Sequence, residues 1–193
     1  MSYPFSAPDI KSTEQHIHIL EWKNKLGTLL LGSYCNSLCL CEWKTAGTPY
    51  PNLHKLCRRL DADVVVERNE RCNHVIRQTL IRLQEYLDNK RPNFDIPIML
   101  TGTAFQQQVQ KEIITIPYGK TISYKELAQR INHPQAIRAV ANAAGRNPLM
   151  LIIPCHRIIG SDGKLTGYAG GLDIKRRLLS IEQTHIRDTN SGE

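Results

Sequence analysis

Residues 147–159 read NPLMLIIPCHRII. Positions 149–153 are too apolar for a half-exposed strand and too short for a helix. They predict a buried segment that Pro154 ends, with Cys155 emerging at its tip. A cysteine reacts as its thiolate, so a nucleophilic Cys155 needs a group that takes its proton or stabilises its charge. His156 and Arg157 follow it directly. On a regular strand consecutive side chains point to opposite faces and would part His156 from Cys155, whereas a turn after Pro154 lets the two converge. His156 then needs an orienting acid, and Glu182 at the end of the last helical pattern is the distant choice. A buried, inert thiol with a chance neighbour is the reading that local chemistry leaves open.

Working back from this stretch, the chain reads as helical from Thr103. Thr103 with Gln106 forms a capping-box pattern, and Phe105, Val109 and Ile113 line one face until Pro117-Tyr118-Gly119 stops the helix. Ser123 with Glu126 is a second such pattern, opening YKELAQRI with Leu127, Ala128 and Ile131 inward. His133-Pro134 ends it and starts QAIRAVANAAG, with proline at the first helical position and Gly145 past the end. Two short helices with a tight turn predict a helix-turn-helix. The second offers mainly alanine outward, with Arg138 as its one long cation. That fits either a core helix or one that approaches a narrow groove closely. After Cys155, GSDGKLTGYAGG predicts a glycine-rich loop, DIKRRLLSIE a last helix ending at Glu182, and residues 186–193 a disordered tail.

The first half has a different rhythm. HIHILEW, LGTLLLG and LCLCEW, within residues 16–43, alternate as strands of a small antiparallel sheet. PNLHKLCRRL predicts a short helix, DVVVE a strand, and residues 72–88 a longer helix whose Ile76, Leu80, Leu83 and Leu87 form one stripe. NKRPNFDIPIML, with two prolines, reads as a linker. The expected fold is an α/β N-terminal domain over residues 1–95 and a mostly helical C-terminal domain over residues 103–185 that contains the helix-turn-helix.

A chain of 193 residues with 41% apolar and 22% charged residues is ordinary for a soluble globular protein. No window approaches the roughly 20 apolar residues of a membrane helix, and MSYPFSAPDIKSTEQ lacks the order of an export signal, so no membrane and a cytoplasmic location are expected. Free thiols follow from a reducing compartment. Cys35, Cys39 and Cys41 lack a second ligand pair, and with Cys57 and Cys72 they read as structural, with no metal or cofactor expected. Residues 103–193 hold 12 basic and 7 acidic groups, +5 of the net +7, which suits a polyanionic partner.

From Gly102 to Glu182 the chain resembles the catalytic domain of the O6-alkylguanine-DNA alkyltransferases, the methylated-DNA-protein-cysteine methyltransferase family. The matching segments are GTAFQQQV, IPYGKTISYKELA, RAVANAAGRNP, IIPCHRIIGSDGKLTGYAGGL and LLSIE, in the family's order. The resemblance implies that Cys155 is the alkyl acceptor, used once. His156, acting through a water and oriented by Glu182, takes its proton, and Tyr124 donates toward N3 of the leaving guanine. It implies double-stranded DNA with alkylated bases as partner, bound in the minor groove by a monomer, with Arg138 filling the place of the flipped nucleotide and Ala139 beside it.

The resemblance further implies that Asn147 braces the turn carrying the cysteine and that Asn147 and Arg157 are DNA-binding residues. It implies a guanine pocket of Tyr124, Cys155, Ile158, Tyr168 and Ala169, with the backbone carbonyls of Cys155 and Ile158 as acceptors. Lys175 matches a family position close to the site. Relatives often have serine at Ala169 and tryptophan at Gln110, so alkyl-size tolerance and packing below the site are expected to differ here. A lesion sensor without the acceptor cysteine, a thiol hydrolase and a helix-turn-helix regulator are the rival readings. The presence of Cys155 argues against the first.

Overall fold

The alternation in residues 16–43 becomes three antiparallel strands in the computed structural model, which describes residues 16–47, 50–68 and 72–190. The opening 15 residues, in which no export signal was read, lie outside them, as do residues 191–193. Strand β1 is His16–Asn24, β2 Gly27–Tyr34 and β3 Ser37–Trp43. Cys35 and Asn36, between β2 and β3, both have positive φ (46° and 55°), the requirement of a type I′ hairpin turn. The β2–β3 register shifts at Gly32, where a Cβ would lie 2.8 Å from the Leu40 Cβ. Any side chain there would force the two strands apart.

Helix α1, Pro51–Leu60, carries the chain over to β4, Asp63–Val66, which pairs parallel to β1. The sheet is therefore mixed, in the order β3-β2-β1-β4, with a fourth strand beyond the antiparallel meander. Ile17, Leu30, Leu40, Leu56 and Met99 share one apolar cluster on this sheet. The buried Glu42 carboxylate accepts from the Asn52 and Leu53 backbone N–H groups and so caps the start of α1.

Helix α2, His74–Leu87, buries Ile76, Leu83 and Leu87 of the predicted stripe but leaves Leu80 half-buried, and also buries Val75, Thr79 and Tyr86. The predicted linker does not hang free. Leu38 donates to the Pro97 carbonyl at 2.8 Å and Met99 donates back to Leu38 at 2.9 Å, so residues 97–99 bridge onto β3. Residues 148–150 do the same at Cys41, through bonds of 2.7 Å on both sides. These bridges explain why every residue of β3 is buried.

The chain divides into two compact units. One comprises Met1–Gln84, Phe94–Thr101 and Pro148–Met150, and the other Glu85–Asn93, Gly102–Asn147 and Leu151–Glu193. In the second, helix α3 is Ala104–Ile114, started by the expected Thr103–Gln106 capping box. A two-residue strand β5, Ile122–Ser123, leads into α4, Tyr124–Arg130, capped by the Ser123 hydroxyl. Helix α5 is Ile137–Gly145, starting later than the sequence predicts. The reason is local: Ala136 donates to the His133 carbonyl at 2.9 Å, so Pro134 sits in a turn rather than at the first helical position. Helices α3, α4 and α5 pack on one another.

A single 3-10 turn, Cys155–Arg157, precedes strand β6, Ile158–Ile159, which pairs parallel to β5. Helix α6, Leu172–Asn190, runs past Glu182 and through most of the tail expected to be disordered, because no glycine or proline interrupts residues 172–190. Among the described residues no helix is long and apolar enough to cross a membrane.

Candidate active site

The apolar run ends as the sequence predicts. Residues 149–153 are buried, Leu151 turns the chain with φ +69°, and Cys155 opens the 3-10 turn with 7% of its surface exposed. The Asn147 amide spans that turn, donating to the Ile153 carbonyl at 2.8 Å and to the Cys155 sulfur at 3.2 Å. Burial pushes the Cys155 thiol up, against the opposing pull of the Asn147 amide and the nearby Lys175 charge. The resting sulfur therefore keeps its proton near neutral pH, and reaction requires a base.

The turn does not pair His156 with Cys155 directly. Among the described residues the two share no hydrogen bond; His156 instead faces α6. Along that helix Lys175, Leu178, Leu179 and Glu182 fall at i, i+3, i+4 and i+7, one inward face, and all four are buried. His156 Nε2 lies 2.8 Å from Glu182 Oε1, with both side chains fully buried. Arg157 forks onto the same carboxylate, Nη2 to Oε1 at 2.9 Å and Nε to Oε2 at 3.0 Å, while its Nη1 donates to the Ile116 carbonyl at 2.7 Å. The Gly119 N–H donates to Oε2 at 2.8 Å and the Tyr86 hydroxyl to Oε1 at 2.6 Å.

Burial alone would raise the Glu182 carboxyl, but the His156 hydrogen bond and the fork from Arg157, a permanent cation, hold it well below the ordinary carboxylate range. Burial keeps the His156 imidazole neutral, pulling it below its usual value despite the Glu182 contact. An ionised Glu182 can only accept, so Nε2 carries the proton of the neutral ring and Nδ1 is the basic nitrogen. Nδ1 is buried and has no partner among the described residues.

On the other side of the turn, the β5–β6 pairing sets Ile122 opposite Ile158 and thereby brings Tyr124, the first residue of α4, toward Cys155. Burial and the neighbouring Cys155 charge raise the Tyr124 hydroxyl, which lies 3.5 Å from the Gly167 carbonyl. Lys175, fully buried, donates to the carbonyls of Ile158 at 2.5 Å, Thr166 at 2.7 Å and Gly167 at 3.3 Å. It ties the strand after the cysteine to the glycine-rich loop, and burial brings its ammonium down to about 8. Tyr168 on that loop meets the His156 ring edge-on at 6.4 Å, and Ala169 beside it is exposed.

Of the residues expected at DNA, Arg138 and Ala139 stand exposed in the first turn of α5. Arg157 and Asn147 do not. Arg157 is 5% exposed and Asn147 is buried, each committed to the internal bonds above, which removes both side chains from any DNA-facing surface. Gln110 is buried on α3. The sequence reading missed Tyr86 and the Gly119 N–H. Tyr86 lies one turn beyond Leu83 on the predicted stripe of α2, and a tyrosine marked as buried must find a polar partner, so a signal was present. The partner, 96 residues away, had none.

Compared with known proteins, residues 104–184 match the family model described as 6-O-methylguanine DNA methyltransferase, DNA binding domain. A methylated-DNA–protein-cysteine methyltransferase of Methanosarcina barkeri is 51% identical over 111 residues, 58% of this chain and 70% of that protein. The crystal structure of the Mycobacterium tuberculosis O6-methylguanine methyltransferase superposes with a TM-score of 0.75 at 34% identity, over 88% of this chain and 94% of that one. A structure of the M. tuberculosis protein in complex with DNA superposes at 0.73, also at 34% identity, over 87% and 94%. The chain belongs to the methylated-DNA–protein-cysteine methyltransferase family.

Proposed function

We propose that this chain repairs DNA directly, moving the alkyl group of O6-alkylguanine, and of O4-alkylthymine, to Cys155 in an irreversible reaction that each molecule performs once. The observation that carries the reading is the Cys155 turn itself: a protonated thiol set beside a neutral imidazole whose basic Nδ1 is unengaged and whose other nitrogen is fixed on an ionised carboxylate. The thiol proton passes through a water to His156 Nδ1. The sulfur attacks the alkyl carbon, the C–O6 bond breaks, and its electron pair leaves with the base. Tyr124 donates a proton toward N3 of the departing guanine, a role suited to a raised phenol that holds its proton until the base becomes the stronger acceptor. No step regenerates the thiol from the S-alkyl product, so the protein acts once.

The Ile158 carbonyl, already accepting from Lys175, retains a second lone pair for the guanine amino group, and the Cys155 carbonyl supplies another. Tyr168 and Ala169 line the pocket from the glycine-rich loop. Helices α4 and α5 act as a helix-turn-helix lying in the minor groove, where the alanines of α5 allow close approach. The damaged nucleotide is flipped inward while Arg138 occupies its place in the stack. The exposure of Arg138 and Ala139 supports that placement. The protein works as a monomer in the cytoplasm, since a single-use acceptor has no need of a second copy.

The test is to incubate the protein with O6-methylguanine duplex and weigh the intact chain and the peptide holding Cys155. A one-to-one gain of one methylene mass on that peptide is expected. Binding with unchanged mass would indicate a lesion sensor, turnover with a regenerated thiol a hydrolase, and sequence-selective binding without lesion preference a regulator. Any of these sinks the reading.

A further inference from the structure

Nothing in the reaction as described uses Tyr86, yet it is the shortest contact to the Glu182 carboxylate, at 2.6 Å, from a fully buried position at the end of α2. Its oxygen also lies 3.4 Å from His156 Nε2. We propose that Tyr86 is a positioning residue of the transfer: by donating its one hydroxyl proton to Glu182 Oε1 it draws charge from the carboxylate that holds His156 Nε2, and so keeps the ring a neutral base at Nδ1. This inference rests on the alkyl-transfer reading and deepens it.

The argument is one of donors and acceptors. A phenol has one proton to give and an ionised carboxylate has none. While that proton is engaged on Oε1, Nε2 has no donor to receive from and can satisfy itself only by donating to the same oxygen, 2.8 Å away. Were the Tyr86 proton turned toward Nε2, the ring would hold its own proton on Nδ1 and lose its basic atom on the side away from Glu182. Arg157 and the Gly119 N–H occupy the other lone pairs of the carboxylate and keep it from rotating. Tyr86 is itself held in orientation by the edge of Tyr118, with ring centroids 5.9 Å apart, and Tyr118 packs in turn under the Arg157 guanidinium at 5.5 Å. Burial and the Glu182 charge raise the Tyr86 hydroxyl well above its usual value, so it keeps its proton near neutral pH.

The groups that face His156 are Glu182 and Lys175 from α6, Arg157 and Cys155 from its own turn, Tyr86 from α2 and Tyr168 from the glycine-rich loop. Tyr118 bears on it through Glu182 and Arg157. Of these, Tyr86 is the neutral donor that draws charge from Oε1. Its removal leaves Oε1 more negative and stabilises the imidazolium, so the pKa of His156 rises.

The experiment compares the full wild-type chain with Tyr86→Phe, which keeps the ring and deletes only the hydroxyl. Transfer rates from O6-methylguanine duplex are measured over about pH 5 to 9, and His156 ring-nitrogen shifts are recorded by NMR in the unreacted proteins. The expected result is that the acid limb of the rate profile moves to higher pH by about half to one unit. The His156 nitrogen shifts move with it, and adding Tyr86→Phe to Glu182→Gln moves them no further. A packing role alone would lower the melting temperature while leaving both the limb and the shifts at their wild-type positions, and that outcome overturns the proposal. Should wild-type protein gain no alkyl mass, the alkyl-transfer reading fails, and the ring-nitrogen shifts still decide the role of Tyr86.

Discussion

Arg138 and Arg157 are the same side chain in opposite settings. The first stands exposed in the opening turn of α5, beside the exposed Ile137 and Ala139. The second is sealed against α6, with its fork spent on Glu182 and the Ile116 carbonyl. The difference lies in the backbone beneath them. A helix beginning at Ile137 turns its second residue outward, whereas a 3-10 turn closing on β6 turns its third residue into the core. An arginine near a nucleophile is thus no evidence of a nucleic-acid contact until its surroundings are known. Arg157 instead helps keep the Glu182 carboxyl ionised.

Four measurements can break or sharpen this contrast. The largest effect belongs to the atom between the two settings: Cys155→Ala should abolish alkyl uptake completely while binding to alkylated duplex persists, and residual mass gain would place the acceptor elsewhere. Next, Arg157→Ala strips a buried carboxylate of its partner and should cost about 3–5 kcal/mol in denaturant unfolding. Arg157→Lys should recover part of that loss, since it returns the charge without the fork. A stability change near zero would mean that Arg157 is not structural.

The third measurement is stability against pH. The folded pKa of His156 is depressed, so the unfolded chain takes up its proton first and stability falls once pH drops below about 6.5. The Glu182 contribution is present above about pH 4.3 and is lost as pH falls through its lower folded value. Together they predict a loss of about 1–3 kcal/mol as pH falls from about 6.5 to 4. Flat stability across that window would contradict the buried neutral histidine. The smallest expected effects are on the exposed arginine. Arg138→Ala should leave unfolding within about 0.5 kcal/mol of wild type and slow transfer from duplex about tenfold. It should spare transfer from the free base and lower the salt slope of duplex binding by about one. Equal losses on duplex and free base would refute the intercalating role.

How far the sequence could be read follows the reach of each signal. The strands at residues 16–43 and the stripe of α2 were visible because period 2 and period 3.6 are local patterns. The parallel attachment of β4 to β1 was not, because no pattern within DVVVE names its neighbour. Glu182 was found as the acid for His156 from the requirement that a base be oriented, and the structure places it at bonding distance. Arg157 was misplaced because a three-residue turn has no periodicity from which to assign a face. Pro134 misled because the same residue opens helices and occupies the second position of turns, and only the Ala136 to His133 hydrogen bond separates the two.

The span of the Glu182 cluster has a consequence for synthesis. Tyr86 and its carboxylate partner are 96 residues apart, and His156 lies 26 residues ahead of the same group. On the ribosome, α2, α5 and the cysteine turn all emerge before Glu182, the carboxylate that His156 contacts. Burial of the Glu182 carboxylate among Tyr86, His156, Arg157 and the Gly119 N–H is therefore a late, non-local event that waits for α6 to dock.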